Sequence, residues 1–106
     1  MKKKDSAEQQ RRREDILRPS HYFGYDHDTI GVYTLNRGAY RIAESQFRRA
    51  IWLNPFEPIF KVHLVWCLYK LHNLQEAKEW ALKTLKQDPE NKEALELLAK
   101  IESQLE

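Results

Sequence analysis

From Tyr25 to the C-terminus, apolar residues come in blocks separated by short polar breaks; at 57–71 they are nearly continuous, while at 39–53, 74–87 and 90–104 they recur every three or four positions. That spacing puts them on one side of an α-helix. The blocks predict helices at about 27–37, 39–53, 57–71, 74–87 and 90–104. Breaker residues agree with these limits. Gly38 marks one tight turn, and His72-Asn73 marks another, where Asn tolerates the left-handed conformation. Asn54-Pro55 and Pro58 punctuate the link between the second and third blocks. Asp88-Pro89 reads as an N-cap and first helical residue, with Glu90 and Glu93 in the opening turn. In the last block Leu95, Leu98 and Ala99 read as the inner side, with Ile101 beside them. Glu93, Glu96, Lys100 and Glu102 read as solvent-facing, and Glu96 and Lys100 form an i, i+4 pair.

The blocks repeat. Pro55 and Pro89 are 34 residues apart, and a shift of 34 aligns Tyr40 with Leu74, Ala43 with Ala77, Phe47 with Ala81, Ala50 with Thr84 and Leu53 with Gln87. On these residues the sequence resembles the tetratricopeptide-repeat (TPR) family. Ile30 and Gly31 match its Leu-Gly pair, and Ala43, Phe47, Ala50 and Pro55 match its second half. Leu64, Ala77 and Pro89 match in the second unit, and Leu98 and Ala99 in a partial third. There are departures. His27 and Lys61 stand where the family prefers Trp, and Thr34, Leu68 and Glu102 where it prefers Tyr. Val65 replaces a small residue while Ala81 replaces a large aromatic, an exchange that conserves volume and costs under about 1.5 kcal/mol. The resemblance implies an all-α fold of antiparallel helix-turn-helix repeats stacked as a short superhelix. It divides the chain into a basic arm at 1–22, a first repeat at 23–57, a second at 58–91 and a capping helix at 92–106.

Charge changes the picture only at the arm. Residues 1–20 hold seven basic side chains (Lys2, Lys3, Lys4, Arg11, Arg12, Arg13, Arg18) against four acids, while the rest of the chain is nearly balanced. Lys2, Lys3, Lys4, Arg11, Arg12 and Arg13 are the candidate phosphate contacts. Four acids among them, no interleaved aromatic before Tyr22 and a neutral body rank nucleic acid below a protein partner. The single cysteine, Cys67, allows no intrachain disulfide and no multi-cysteine zinc site. The longest apolar run, Leu64 to Tyr69, is too short to cross a bilayer, and no apolar signal segment follows Met1. A soluble, cytoplasmic protein in a reducing compartment is expected.

Candidate chemistry is sparse. No glycine-rich phosphate loop and no Ser, His and Asp at a catalytic spacing occur, so an enzyme is not expected. His21 and His27 flank Asp26 and Asp28, but Asp and His at a helix start read better as cap and solvated face than as a metal site. His63 and His72 read as ordinary surface groups, and Cys67 as a small buried hydrophobe. No metal and no cofactor are expected.

A binding surface is expected instead. In the family that the sequence resembles, the first helix of each unit lines the concave face. In the third block Lys61, Leu64, Val65 and Leu68 read as the packing stripe within the repeat. The adjoining stripe is Ile59, Val62, Trp66 and Tyr69, matched in the first unit by Tyr25, Asp28, Val32 and Leu35, with Asn36 beside it. The groove residues are therefore Tyr25, Val32, Leu35, Asn36, Ile59, Val62, Trp66 and Tyr69, with Trp66 and Tyr69 as anchors. Family members that clamp a chaperone's terminal carboxylate use Lys, Asn and Arg there, which Val32, Val62 and Trp66 do not resemble. The expected function is a non-catalytic adaptor, scaffold or small subunit that holds a peptide segment or an amphipathic helix of another protein. An assembly or secretion chaperone is the alternative. These apolar residues also read as plain core, because two repeats fall below the roughly three usually needed for stability. The stretch from Ile16 to Phe23, or self-association, would then cover the groove or supply a missing helix. Trp52 and Phe56 read as staples between the units, and Trp80 as a filler for the space beside Ala81.

Overall fold

The computed structural model describes residues 23–106. They form five helices: α1 (Tyr25–Asn36), α2 (Tyr40–Leu53), α3 (Pro58–Lys70), α4 (Leu74–Gln87) and α5 (Lys92–Leu105). A shift of 34 carries α2 onto α4, and α3 onto α5 but for the last residue of α5. Each helix packs on its chain neighbours, and α3 also touches α1 and α5. The inner helices α1, α3 and α5 thus lie side by side, with α2 and α4 behind them.

Central α3 is buried on nearly every side through Phe60, Lys61, Val62, Leu64, Val65, Cys67 and Leu68. That explains its continuous apolar sequence, with no clear helical period. Each fully buried Phe or Leu there contributes about 1.5–3 kcal/mol. The outer helices α2 and α4 bury one stripe each, Ala43, Phe47, Ala50 and Ile51 in the first and Ala77, Ala81 and Thr84 in the second.

Inside the first hairpin, Gly31 allows the closest approach. A Cβ on it would lie 2.3 Å from the ring of the fully buried Phe47. The same shift of 34 puts Val65 and Ala81 at this place in the second hairpin, both fully buried. Gly24 opens α1 at φ 89°, where a Cβ would meet the Phe60 ring at 2.7 Å and the Ala50 carbonyl at 2.8 Å. A side chain there is excluded by backbone conformation and by space.

The turns within the hairpins share one geometry. Gly38 N–H donates to the Leu35 carbonyl and Ala39 N–H to that of Thr34; His72 N–H donates to Tyr69 and Asn73 N–H to Leu68. The left-handed residue of the second turn is His72, at φ 60°, and not Asn73, at φ −88°. It occupies the place of Gly38, and the two satisfied carbonyls hold it there.

Three further expectations are corrected. Asp88-Pro89 does not open α5: Asp88 ends α4, and Asn91 caps α5 by accepting from Ala94 N–H at 3.0 Å. Pro89 lies in the turn, as Pro55 does. In α5 the buried residues are Ala94, Leu97 and Ile101, whereas Leu95 and Ala99 are exposed. The expected stripe is the one that a following outer helix would cover, and no described helix follows. Trp52 and Phe56 staple nothing among the described residues, for they are 76% and 69% exposed. The link is held instead by Lys61, whose ammonium donates to the Pro55 carbonyl at 2.5 Å and to Gln87 Oε1 at 2.8 Å.

Candidate functional site

The inner helices leave a cleft of about 460 Å³, lined by Val32, Leu35 and Asn36 of α1, Tyr40 of α2, His63, Trp66 and Lys70 of α3, and Glu93 of α5. Val32, Leu35, Tyr40 and Trp66 are half-buried, so each presents apolar surface to the opening while resting on the core.

His63 lines the cleft. Its Nδ1 pairs with Asp28 Oδ1 at 2.7 Å, and its ring lies 5.5 Å from that of Phe47. Asp28 is buried and serves this contact, so it is not the solvated cap expected from the sequence. Trp66 stands edge-to-face with Tyr69, centroids 6.2 Å apart, and the Lys100 ammonium lies 5.3 Å from the Trp66 ring. Gln104 donates to Tyr69 Oη at 2.7 Å, which ties this aromatic pair to α5.

Of the residues named for the groove, Val32, Leu35, Asn36 and Trp66 line the cleft together. Tyr69 flanks it beside Trp66, and Ile59 is half-buried on the core outside it. Tyr25 is apart from it, donating to Glu57 and packing edge-on against Phe60. Val62 is fully buried and cannot meet a partner, so for this residue the core reading holds. His63, Lys70, Tyr40 and Glu93 were not among the named residues. On α3 the lining stripe runs His63, Trp66 and Lys70, at i, i+3 and i+7. Counting back three from Trp66 selects the lining His63; counting back four selects buried Val62. The signature residues Gly31, Ala43, Phe47, Ala50, Leu64 and Ala77 are all buried, while Pro55 and Pro89 lie exposed in the turns. The basic arm residues and His21 lie outside the described part.

The arrangement offers contacts more than reactivity. The Cys67 thiol donates to the Tyr40 carbonyl at 2.9 Å, and burial pushes its pKa up to about 11. Such a thiol is a poor nucleophile. Among the described residues no group of three or more His, Cys, Asp or Glu could hold a metal ion. None of the described helices is long and apolar enough to cross a membrane. A second hollow, of about 500 Å³ and wider open, lies on the outer side among Arg41, Glu44, Ser45, Arg48, Arg49 and Trp52. Its centre is committed internally: Arg48 bridges Glu44 at 2.9 Å and Glu76 at 2.6 Å, and its hydrogen bond holds the Glu76 carboxyl below the usual range. The cleft has no such internal ion pair across its mouth among the described residues.

No family model and no curated protein matches the sequence. Among solved structures, the first TPR of Spaghetti (RPAP3), bound to the HSP90 peptide SRMEEVD, is similar at 17% identity over 81% of this chain and 95% of that one, with a TM-score of 0.45. Helical hairpins that recur at 34 residues and end on a fifth helix give the described residues the architecture of a tetratricopeptide-repeat stack.

Proposed function

We propose that the protein is a non-catalytic interaction module that holds a short segment of another polypeptide in the cleft between α1, α3 and α5. The observation that carries this reading is the cleft's construction. Half-buried Val32, Leu35, Tyr40 and Trp66 face a common opening whose rim holds Asn36, Lys70 and Glu93. Apolar walls with a few polar groups at the edge suit a peptide or one face of an amphipathic helix. The anchor is Trp66, already packed on the core and presenting a rigid face at little entropic cost. An adaptor or a small subunit of a larger assembly would use such a site.

Site-specific photo-crosslinking tests it. A benzophenone amino acid at Leu35, in the cleft, is expected to capture a partner protein in cells. The same group at Leu82, exposed on α4, is expected to capture none above background. Capture from Leu82 alone would move the docking site to the outer side and overturn the assignment.

A further inference from the structure

The last inner helix, α5, carries an apolar stripe with no described helix on it. Successive shifts of 34 relate Gly31 to Val65 and Ala99, the close-approach place of each inner helix. They also relate Leu64 to Leu98 and Lys61 to Leu95. On α3, packed between α2 and α4, Leu64 and Val65 are fully buried. On α5, Leu95 is 48% exposed, Ala99 is exposed and Leu98 is half-buried. A repeat stack ordinarily meets water with a polar outer face. This end of the described stack instead shows Leu95, Leu98 and Ala99.

The stripe is complementary to itself. Lys92 and Glu102 lie five positions either side of Leu97, and Leu95 and Ala99 two positions either side. Two α5 helices set antiparallel about a twofold axis level with Leu97 bring Lys92 of each level with Glu102 of the other. The same setting puts large Leu95 opposite small Ala99, twice, with the two Leu98 side chains beside the axis. Small against large is also how the first hairpin closes, Gly31 against Phe47. Lys92 and Glu102 are exposed and make no ion pair among the described residues. Glu93 in the cleft wall and Lys100 near Trp66 stand on another side of α5, so this pairing leaves the cleft open.

We propose that the protein forms a twofold dimer through α5, in which the second copy's α5 covers Leu95, Leu98 and Ala99 as α4 covers α3. Each copy contributes one 14-residue helix, so the contact is small and the dimer dissociates on dilution.

Sedimentation equilibrium of the full chain tests this between about 10 μM and about 1 mM. A monomer–dimer equilibrium is expected within that range. Leu95→Glu is expected to weaken association by at least about tenfold, with helix content by circular dichroism unchanged. Lys92→Glu and Glu102→Lys each set like charges level and are expected to weaken it by at least about threefold. The double variant Lys92→Glu with Glu102→Lys is expected to restore it, because the pairs re-form with their signs exchanged. A chain that stays monomeric at about 1 mM would overturn the proposal. A dimer that Leu95→Glu leaves intact, or a double variant no stronger than the single ones, would also overturn it. A lower Tm for Leu95→Glu with association unchanged would do the same, by showing that the chain itself covers the stripe. None of these readouts depends on the cleft, so this proposal and the proposed function fail separately.

Discussion

In the first hairpin Gly31 makes room for the Phe47 ring, whereas in the second Val65 fills that room and Ala81 withdraws from it. Asp28 of the first hairpin meets His63, whereas fully buried Val62 stands at the same place in the second. Gly38 makes the first turn and His72 the second, with the same pair of hydrogen bonds. One backbone is therefore reached by two different sets of side chains. Helix placement depends on total volume and on satisfied backbone groups more than on any one residue.

The largest effect should come from the ring. Phe47→Ala empties a fully buried place opposite a glycine and is expected to cost about 3–5 kcal/mol in denaturant unfolding. The second hairpin sharpens this. Ala81→Phe alone overpacks against Val65 and should cost about 1–3 kcal/mol, while adding Val65→Gly should recover most of the loss. If the added glycine makes matters worse, the two hairpins are not equivalent at this place.

Next comes the contact that Asp28 of the first hairpin makes with His63 of the second. Asp28→Ala leaves His63 without its partner and is expected to cost about 1–3 kcal/mol, where Val62→Ala costs only a cavity. Partner capture by Asp28→Ala should fall with it, because His63 lines the cleft.

Cys67 gives a smaller, pH-dependent term. Its thiol is raised from 9.0 to about 11 in the folded protein, so the unfolded chain loses the proton first. Stability from this group is complete below pH 9 and is lost as pH rises through about 11, amounting to about 1 kcal/mol at pH 10. Cys67→Ala should remove that slope. Lys61, lowered chiefly by burial, pushes the other way as pH approaches 10.5, so the comparison is made between Cys67→Ala and wild type.

The turns give the smallest effects. Gly38→Ala meets no atom within 4 Å, so its cost is the left-handed backbone alone, about 1 kcal/mol. His72→Gly should gain up to about 1 kcal/mol, read as a rise in Tm. Equal and opposite shifts would confirm that the two turns are one device.

The fold was legible because its signals are periodic. The 34-residue spacing of Pro55 and Pro89, with apolar blocks bounded by Gly38, Asn54-Pro55 and His72-Asn73, placed the helices to within a few residues. What escaped depends on the neighbour, not on the period. Leu95 and Ala99 carry an inner-helix pattern, yet no described outer helix covers them. Asp28 and His63 are ordinary surface types whose meeting needs α1 and α3 side by side. Val62 and His63 are adjacent in sequence and differ by 100° around α3, so a single step separated core from cleft.

The most direct measurement compares two tryptophans on opposite sides of the stack. Trp66 is half-buried in the cleft, and Trp52 is 76% exposed on the outer side. With folding checked by circular dichroism, Trp66→Ala is expected to weaken binding of the captured partner by at least about tenfold, and Trp52→Ala by less than about twofold. Loss at Trp52→Ala with Trp66→Ala unaffected would contradict the account.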